Sequence, residues 1–119
     1  MLAIRRSSPL FHLGTAALVK QKVSFPNGGP GQAPGVIVMR IDDTVGPDAD
    51  PFTKGLVIVF NASPTATTQV VAGAAGHAYR LHPVERRGTD AVVRSATYTA
   101  RNGTFTVPAR SVAVFVQQR

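Results

Sequence analysis

Cysteine is absent from the 119 residues, which excludes disulfides and thiolate metal sites. Tryptophan is absent too, and the aromatic set is two tyrosines and six phenylalanines. Acid is scarce, with six carboxylates against thirteen Lys and Arg and a net charge of +7. The one glutamate, Glu85, is followed by Arg86 and Arg87 in a polar turn. No apolar run approaches the ~20 residues of a membrane-spanning helix. The N-terminus carries Arg5 and Arg6 with no long apolar run behind them, so it does not read as a secretory signal. The compartment stays open, and a secreted parent is compatible with the sequence.

These shortages exclude several chemistries. Glycoside hydrolysis needs two carboxyl groups ~5 to 9 Å apart, held by rigid elements. Four of the six carboxylates, Asp42, Asp43, Asp48 and Asp50, fall in one polar loop from Asp42 to Pro51. No pair stands at a strand end in apolar surroundings that would raise one pKa. That loop lacks the glycine and the distal glutamate of an EF-hand and reads as a solvated acidic loop. His12, His77 and His82 lack the spacing of a zinc site, and no Gly-x-Ser-x-Gly elbow occurs. No catalytic residue, metal ligand or cofactor site is assigned. The basic residues fall one or two at a time, without the dense stripe of a nucleic-acid surface, which argues against such a partner.

What is present is a ladder of short apolar runs. Leu56-Val57-Ile58-Val59-Phe60 lies between Gly55 and the break at Asn61-Ala62-Ser63-Pro64, and reads as a strand buried on both faces. Other strands fall at Val23–Phe25 with Lys22 and Ser24 to solvent, at Val36–Ile41, and at Thr67–Val71 on an edge. Further strands fall at His77–Val84, Val92–Thr99, Thr104–Val107 and Ser111–Val116. Asn102-Gly103 marks a tight hairpin, and residues 26–35 form a loop rich in Gly and Pro. The fold class predicted is all-β: an antiparallel β-sandwich of about eight strands with a short N-terminal helical remnant.

That remnant, Leu2–Arg6, stops at Ser7-Ser8-Pro9 and is under two turns, too short to stand alone. Leu10, Phe11 and Leu13 follow as a cluster needing cover. Thr15 reads as the cap of a single helical turn over Ala16–Val19. The doubly apolar central strand asks for cover on its second face, either from the N-terminal segment or from a domain outside the chain.

The chain resembles the C-terminal domain of pullulanase-type α-1,6-glucosidases, starch-debranching enzymes of glycoside hydrolase family thirteen. The resemblance runs through Leu2–Phe11, Val23–Pro30, Pro34–Met39, Val57–Pro64, Tyr79–Val84 and Gly103–Phe115, which is nearly the whole chain in order. The Val-Phe-Asn-Ala-Ser run and the closing Phe-Thr-Val-Pro-Ala-Arg-Ser segment carry it together. It implies that residues 1–13 are the end of the last barrel helix and its exit, and residues 14–119 the C-terminal β-sandwich. Met1 is then an internal or artificial start. It implies a non-catalytic role beside a (β/α)8 barrel that holds the catalytic residues, with Leu10, Phe11, Leu13 and an exposed sheet face packing on that barrel. A carbohydrate-binding module for α-glucans is the alternative, with Phe52, Tyr79 and Tyr98 as candidates for sugar stacking.

Overall fold

A computed structural model describes residues 4, 6, 8–11, 16–26, 34–44, 50, 53–71, 74–88 and 91–118. Its centre is β3, Thr53–Asn61, which runs between β2, Val36–Asp42, and β8, Ser111–Gln118. From Leu56 to Val59 every residue of β3 is buried, as expected for a strand covered on both faces. β1, Val23–Ser24, extends the sheet beyond β2, and β5, Tyr79–Leu81, pairs with the far side of β8. The order of this five-stranded sheet is β1-β2-β3-β8-β5. A three-stranded sheet, β4-β7-β6, is built from β4, Thr67–Val70, β6, Thr97–Thr99, and β7, Thr104–Val107. Every pairing is antiparallel. β4 lies at an edge, as its short Thr-rich run predicts.

Strand period 2 sends alternate side chains to opposite faces, and the two faces of the large sheet make two separate clusters. Val36, Val38, Val57, Val59, Ala113 and Phe115 point inward and pack under the small sheet, against Phe105 and Val107. Tyr79, Tyr98, Phe105 and Phe115 form a run of ring contacts with centroids 4.7–5.6 Å apart. Ile41, Leu56, Ile58, Val114 and Val116 point outward, where Ile4 and Leu10 cover them. The second face of β3 is therefore covered by the N-terminal segment. Ile4 and Arg6 are helical, and Pro9–Phe11 is a 3-10 turn.

Several local expectations are corrected. The single turn at Ala16–Val19 is a longer helix, α1, Ala16–Lys22. Lys22 ends that helix and is buried, not directed to solvent as expected for an alternating strand. The strand predicted over His77–Val84 is confined to Tyr79–Leu81, because Pro83 has no N–H for the ladder and suits the first turn of a helix. That helix is α2, Pro83–Arg86, and His82 Nδ1 caps it by accepting from Val84 N at 3.1 Å. The strand predicted over Val92–Thr99 begins only at Thr97. Ser95 and Ala96 N–H donate back to Val92 and Val93 carbonyls at 3.1 and 3.0 Å, and this local pairing closes a 3-10 turn at Val93–Ser95. A hairpin forms at Asn102-Gly103, with Gly103 at φ 68°, but Thr99 pairs with Thr104, so its connection is the four residues 100–103 and not a tight two-residue turn. Thr15, His12, Asp48, Asp90 and most of the loop at 26–35 lie outside the described residues.

Candidate functional site

The described carboxylates hold backbone. Glu85 Oε1 accepts from Val114 N at 2.6 Å, and His82 N donates to Val114 O, so both groups reach β8 beyond the end of β5. Glu85 is thus buried, not a solvated turn residue. Asp42 lies beside Arg40 at 3.7 Å and accepts from the Thr44 hydroxyl and amide. Burial pushes its carboxyl up, but those bonds and Arg40 outweigh it, so Asp42 titrates below the usual carboxylate range.

The acidic loop departs most from expectation. Asp43 and Asp50 are buried, not solvated. Lys22 Nζ lies 2.8 Å from Asp43 Oδ1, both side chains fully buried. Asp43 Oδ2 accepts from Asp50 N at 3.0 Å. Asp50 in turn accepts from the Ser8 hydroxyl at 2.5 Å and from Thr53 N at 3.2 Å. Ser8 Oγ then accepts from Leu10 N. The relay ties α1, the β2–β3 loop and the N-terminal segment into one buried polar joint, which is a structural use of charge.

A second joint sits at the opposite end of β3. Asn61 Nδ2 lies 3.0–3.2 Å from the carbonyls of Thr65, Val107 and Pro108. Asn61 Oδ1 accepts from Ser63 N and Ser63 Oγ. The Asn-Ala-Ser run thus fastens the β3–β4 corner to the β7–β8 corner, where the chain crosses between sheets.

The residues singled out from sequence for partner contact divide. Leu10 is 1% exposed and packs into the outer cluster of this chain, so its side chain is already covered. Phe11 is partly buried on the same cluster. Leu13 and Phe52 lie outside the described residues. Tyr79 is enclosed in the inner core, and burial raises its pKa, Arg40 working against that. Tyr98 is partly buried against Phe105 and Tyr79, its hydroxyl 2.6 Å from the Ala74 and His77 carbonyls. Burial raises its pKa as well. Tyr79 thus presents no ring face to solvent.

What the sequence reading named only as an exposed sheet face has a definite shape. Register sets the outward residues of β2, β3 and β8 in three rows. The rows are Ile41-Leu56-Val116, Met39-Ile58-Val114 and Ile37-Phe60-Val112. The first two lie in the cluster that Ile4 and Leu10 cover, with Met39 at its margin. The third is the least covered: Ile37 is 48% exposed, while Phe60 and Val112 are partly buried against the margin of the same cluster. An open groove lined by Phe60, Asn61, Ala62, Arg110, Ser111 and Val112 continues from it. The signal for this row was in the sequence, because β2 and β8 are apolar at consecutive positions and not at alternate ones.

Two antiparallel sheets with an inner core, and a second apolar cluster outside the larger sheet, define a β-sandwich domain with one outer row only partly covered. The family described as alpha-1,6-glucosidases, pullulanase-type, C-terminal, matches residues 1–118. The chain belongs to that family. It is 39% identical to pullulanase 1, chloroplastic, of Arabidopsis thaliana, over all of this chain and 13% of the plant protein. It is 36% identical to a pullulanase of Klebsiella pneumoniae, over 93% of this chain and 10% of that protein. The crystal structure of PulA from Klebsiella oxytoca superimposes with a TM-score of 0.85 at 35% identity, over 98% of this chain and 11% of that one. The maltotriose complex of PulA from Klebsiella pneumoniae gives 0.86 at 36% identity, over 98% and 13%. The chain therefore spans roughly a tenth of the length of the relatives it matches.

Proposed function

We propose that this chain serves as the non-catalytic C-terminal β-sandwich of a pullulanase-type α-1,6-glucosidase that debranches starch, pullulan or glycogen. In this reading residues 1–13 are the exit segment from the catalytic barrel, residues 14–119 are the sandwich, and the sandwich packs on the barrel and stabilises it. The observation that carries the reading is the incompletely covered row Ile37-Phe60-Val112, with Ile37 exposed, continuous with the face on which the N-terminal segment lies. A chain entering through that segment brings its preceding domain to the same side of the sheet. Family membership supports the reading, since the relatives are pullulanases of which this region is a small part. The described carboxylates, engaged in holding backbone, are consistent with bond-breaking groups lying elsewhere.

The test mixes purified chain with the catalytic part of the parent enzyme. A stable complex in sedimentation velocity is expected, with the chain alone leaving pullulan uncut. Ile37→Lys should weaken the complex without unfolding the chain. Pullulan cleavage by the chain alone, or no association with the catalytic part, would overturn the reading.

A further inference from the structure

Arg110 is the one non-glycine residue with positive φ among the described residues, at φ 51°. It ends the turn between β7 and β8. Glycine or asparagine adopts this left-handed conformation at lower steric cost than arginine. The turn is closed by other groups: Arg110 N donates to Ser63 O at 3.1 Å, Asn61 Nδ2 reaches Val107 O and Pro108 O, and Ser111 Oγ donates to Ala109 O. Nothing in that bonding needs an arginine side chain, so the case for arginine here lies in where the residue stands.

It stands exposed at the rim of the groove that continues the least covered row. Among the described residues no carboxylate forms an ion pair with Arg110. Asp42 pairs with Gly55 and Ser111 with Asn61, six residues along β3, so Asp42 and its neighbours lie roughly 20 Å from this rim. An exposed arginine beside an apolar row suits a carboxylate set among apolar side chains. Its planar fork bonds both oxygens and fixes register.

We infer that Ile37, Phe60, Val112 and Arg110 form one docking surface, and that its occupant is a segment of the catalytic domain carrying an Asp or Glu between apolar side chains. This rests on the reading proposed above. Two observations select that occupant. Nearly nine-tenths of each relative lies outside the region matched here, and the least covered row is continuous with the face covered by the N-terminal segment. A second copy is disfavoured by charge, since each chain carries +7 and the described carboxylates are engaged within it.

The experiment measures Kd between the chain and the catalytic part at low and high salt, for wild type and three variants. Arg110→Met keeps apolar reach and removes charge, and is expected to weaken binding about ten-fold or more at low salt and less at high salt. Arg110→Lys should fall between, because it keeps the charge and loses the fork. Arg110→Gly should leave the thermal midpoint of the chain alone unchanged or higher while weakening binding as Met does, which separates folding from docking. Equal affinity for Arg110→Met and wild type at both salts would overturn this inference and leave the docking reading standing. No complex with wild type would overturn both. Self-association of the chain abolished by Ile37→Lys would replace the occupant with a second copy.

Discussion

Replacing Lys22 by Met tests whether the buried polar joint holds the N-terminal segment. The substitution nearly conserves shape and leaves the Asp43 carboxylate at zero exposure without its cation, whose Nζ lay 2.8 Å away. Breaking a buried pair by removing one partner costs about 3–5 kcal/mol. A domain of this size holds about 5–15 kcal/mol in all, so about a fifth or more of its stability is at stake. Urea unfolding should show the midpoint falling by about 2 M at unchanged m-value, for m near ~2 kcal/mol/M. The double variant Lys22→Met/Asp43→Asn supplies the control. The side-chain amide that replaces the Asp43 carboxylate can still accept from Asp50 N but carries no charge. Most of the loss should therefore return, to within about 1.5 kcal/mol of wild type. Hydrogen exchange adds a spatial readout. Leu10 N–H is held through Ser8, Asp50 and Asp43, so its protection should fall in the single variant and recover in the double. A single variant costing under about 1 kcal/mol, or a double variant no more stable than the single, would refute the reasoning.

Asn61→Ala leaves the Val107 and Pro108 carbonyls and Ser63 N–H without their side-chain partner, and should cost about 3 kcal/mol, read from the thermal midpoint. Leu10→Ala should cost about 2–4 kcal/mol in the chain alone, because Leu10 is buried by this chain's own sheet; an unchanged midpoint would mean that it faces outward instead. Burial holds the His82 imidazole below its ordinary value of 6.5. The unfolded chain therefore takes the proton first, so this contribution is complete above about pH 6.5 and is lost as the pH falls toward the lower folded value. Protonation also removes the acceptor that caps α2. His82→Asn, which keeps a capping oxygen, should flatten the midpoint between pH 7.5 and 5.5, and an equally steep profile in the variant would place the titration elsewhere.

The sheet was legible from sequence because its signal is local. Leu56–Phe60 is apolar at every position, and Val112, Val114 and Val116 alternate with Ala113 and Phe115, so both faces of the sheet can be read from a few residues. The polar joints were not legible, because each couples residues far apart in the chain. Lys22 and Asp43 look like solvated charges until a helix end and a strand end bring them within 2.8 Å. Asn61 reads as a strand terminator, and its bonds reach Val107 and Pro108, 46 and 47 residues away. Glu85 follows the same rule, being polar by composition and buried because Val114 N needs an acceptor past the end of β5. Arg110 falls in the closing segment that carries the family resemblance, but its left-handed backbone angle gives no signal of its own in the sequence.

These polar joints and the least covered row belong to one design problem. A sheet apolar on both faces must be covered twice, and the small sheet can cover it only once. The N-terminal segment supplies the second cover over two of the three outer rows, and a short helix and a 3-10 turn cannot hold that position by propensity. The Ser8–Asp50–Asp43–Lys22 relay supplies what propensity lacks, by anchoring the segment at the Ile41-Leu56-Val116 end. At the other end no anchor of that kind meets the outer face among the described residues. There the Asn61 joint turns inward to the crossing between sheets, which leaves Ile37 exposed, Phe60 and Val112 only partly buried, and Arg110 beside them at the groove. The apolar face is therefore best covered where the relay anchors the N-terminal segment and least covered at the Asn61 end of β3, where no such anchor occurs among the described residues, so the docking surface inferred above is to be tested there.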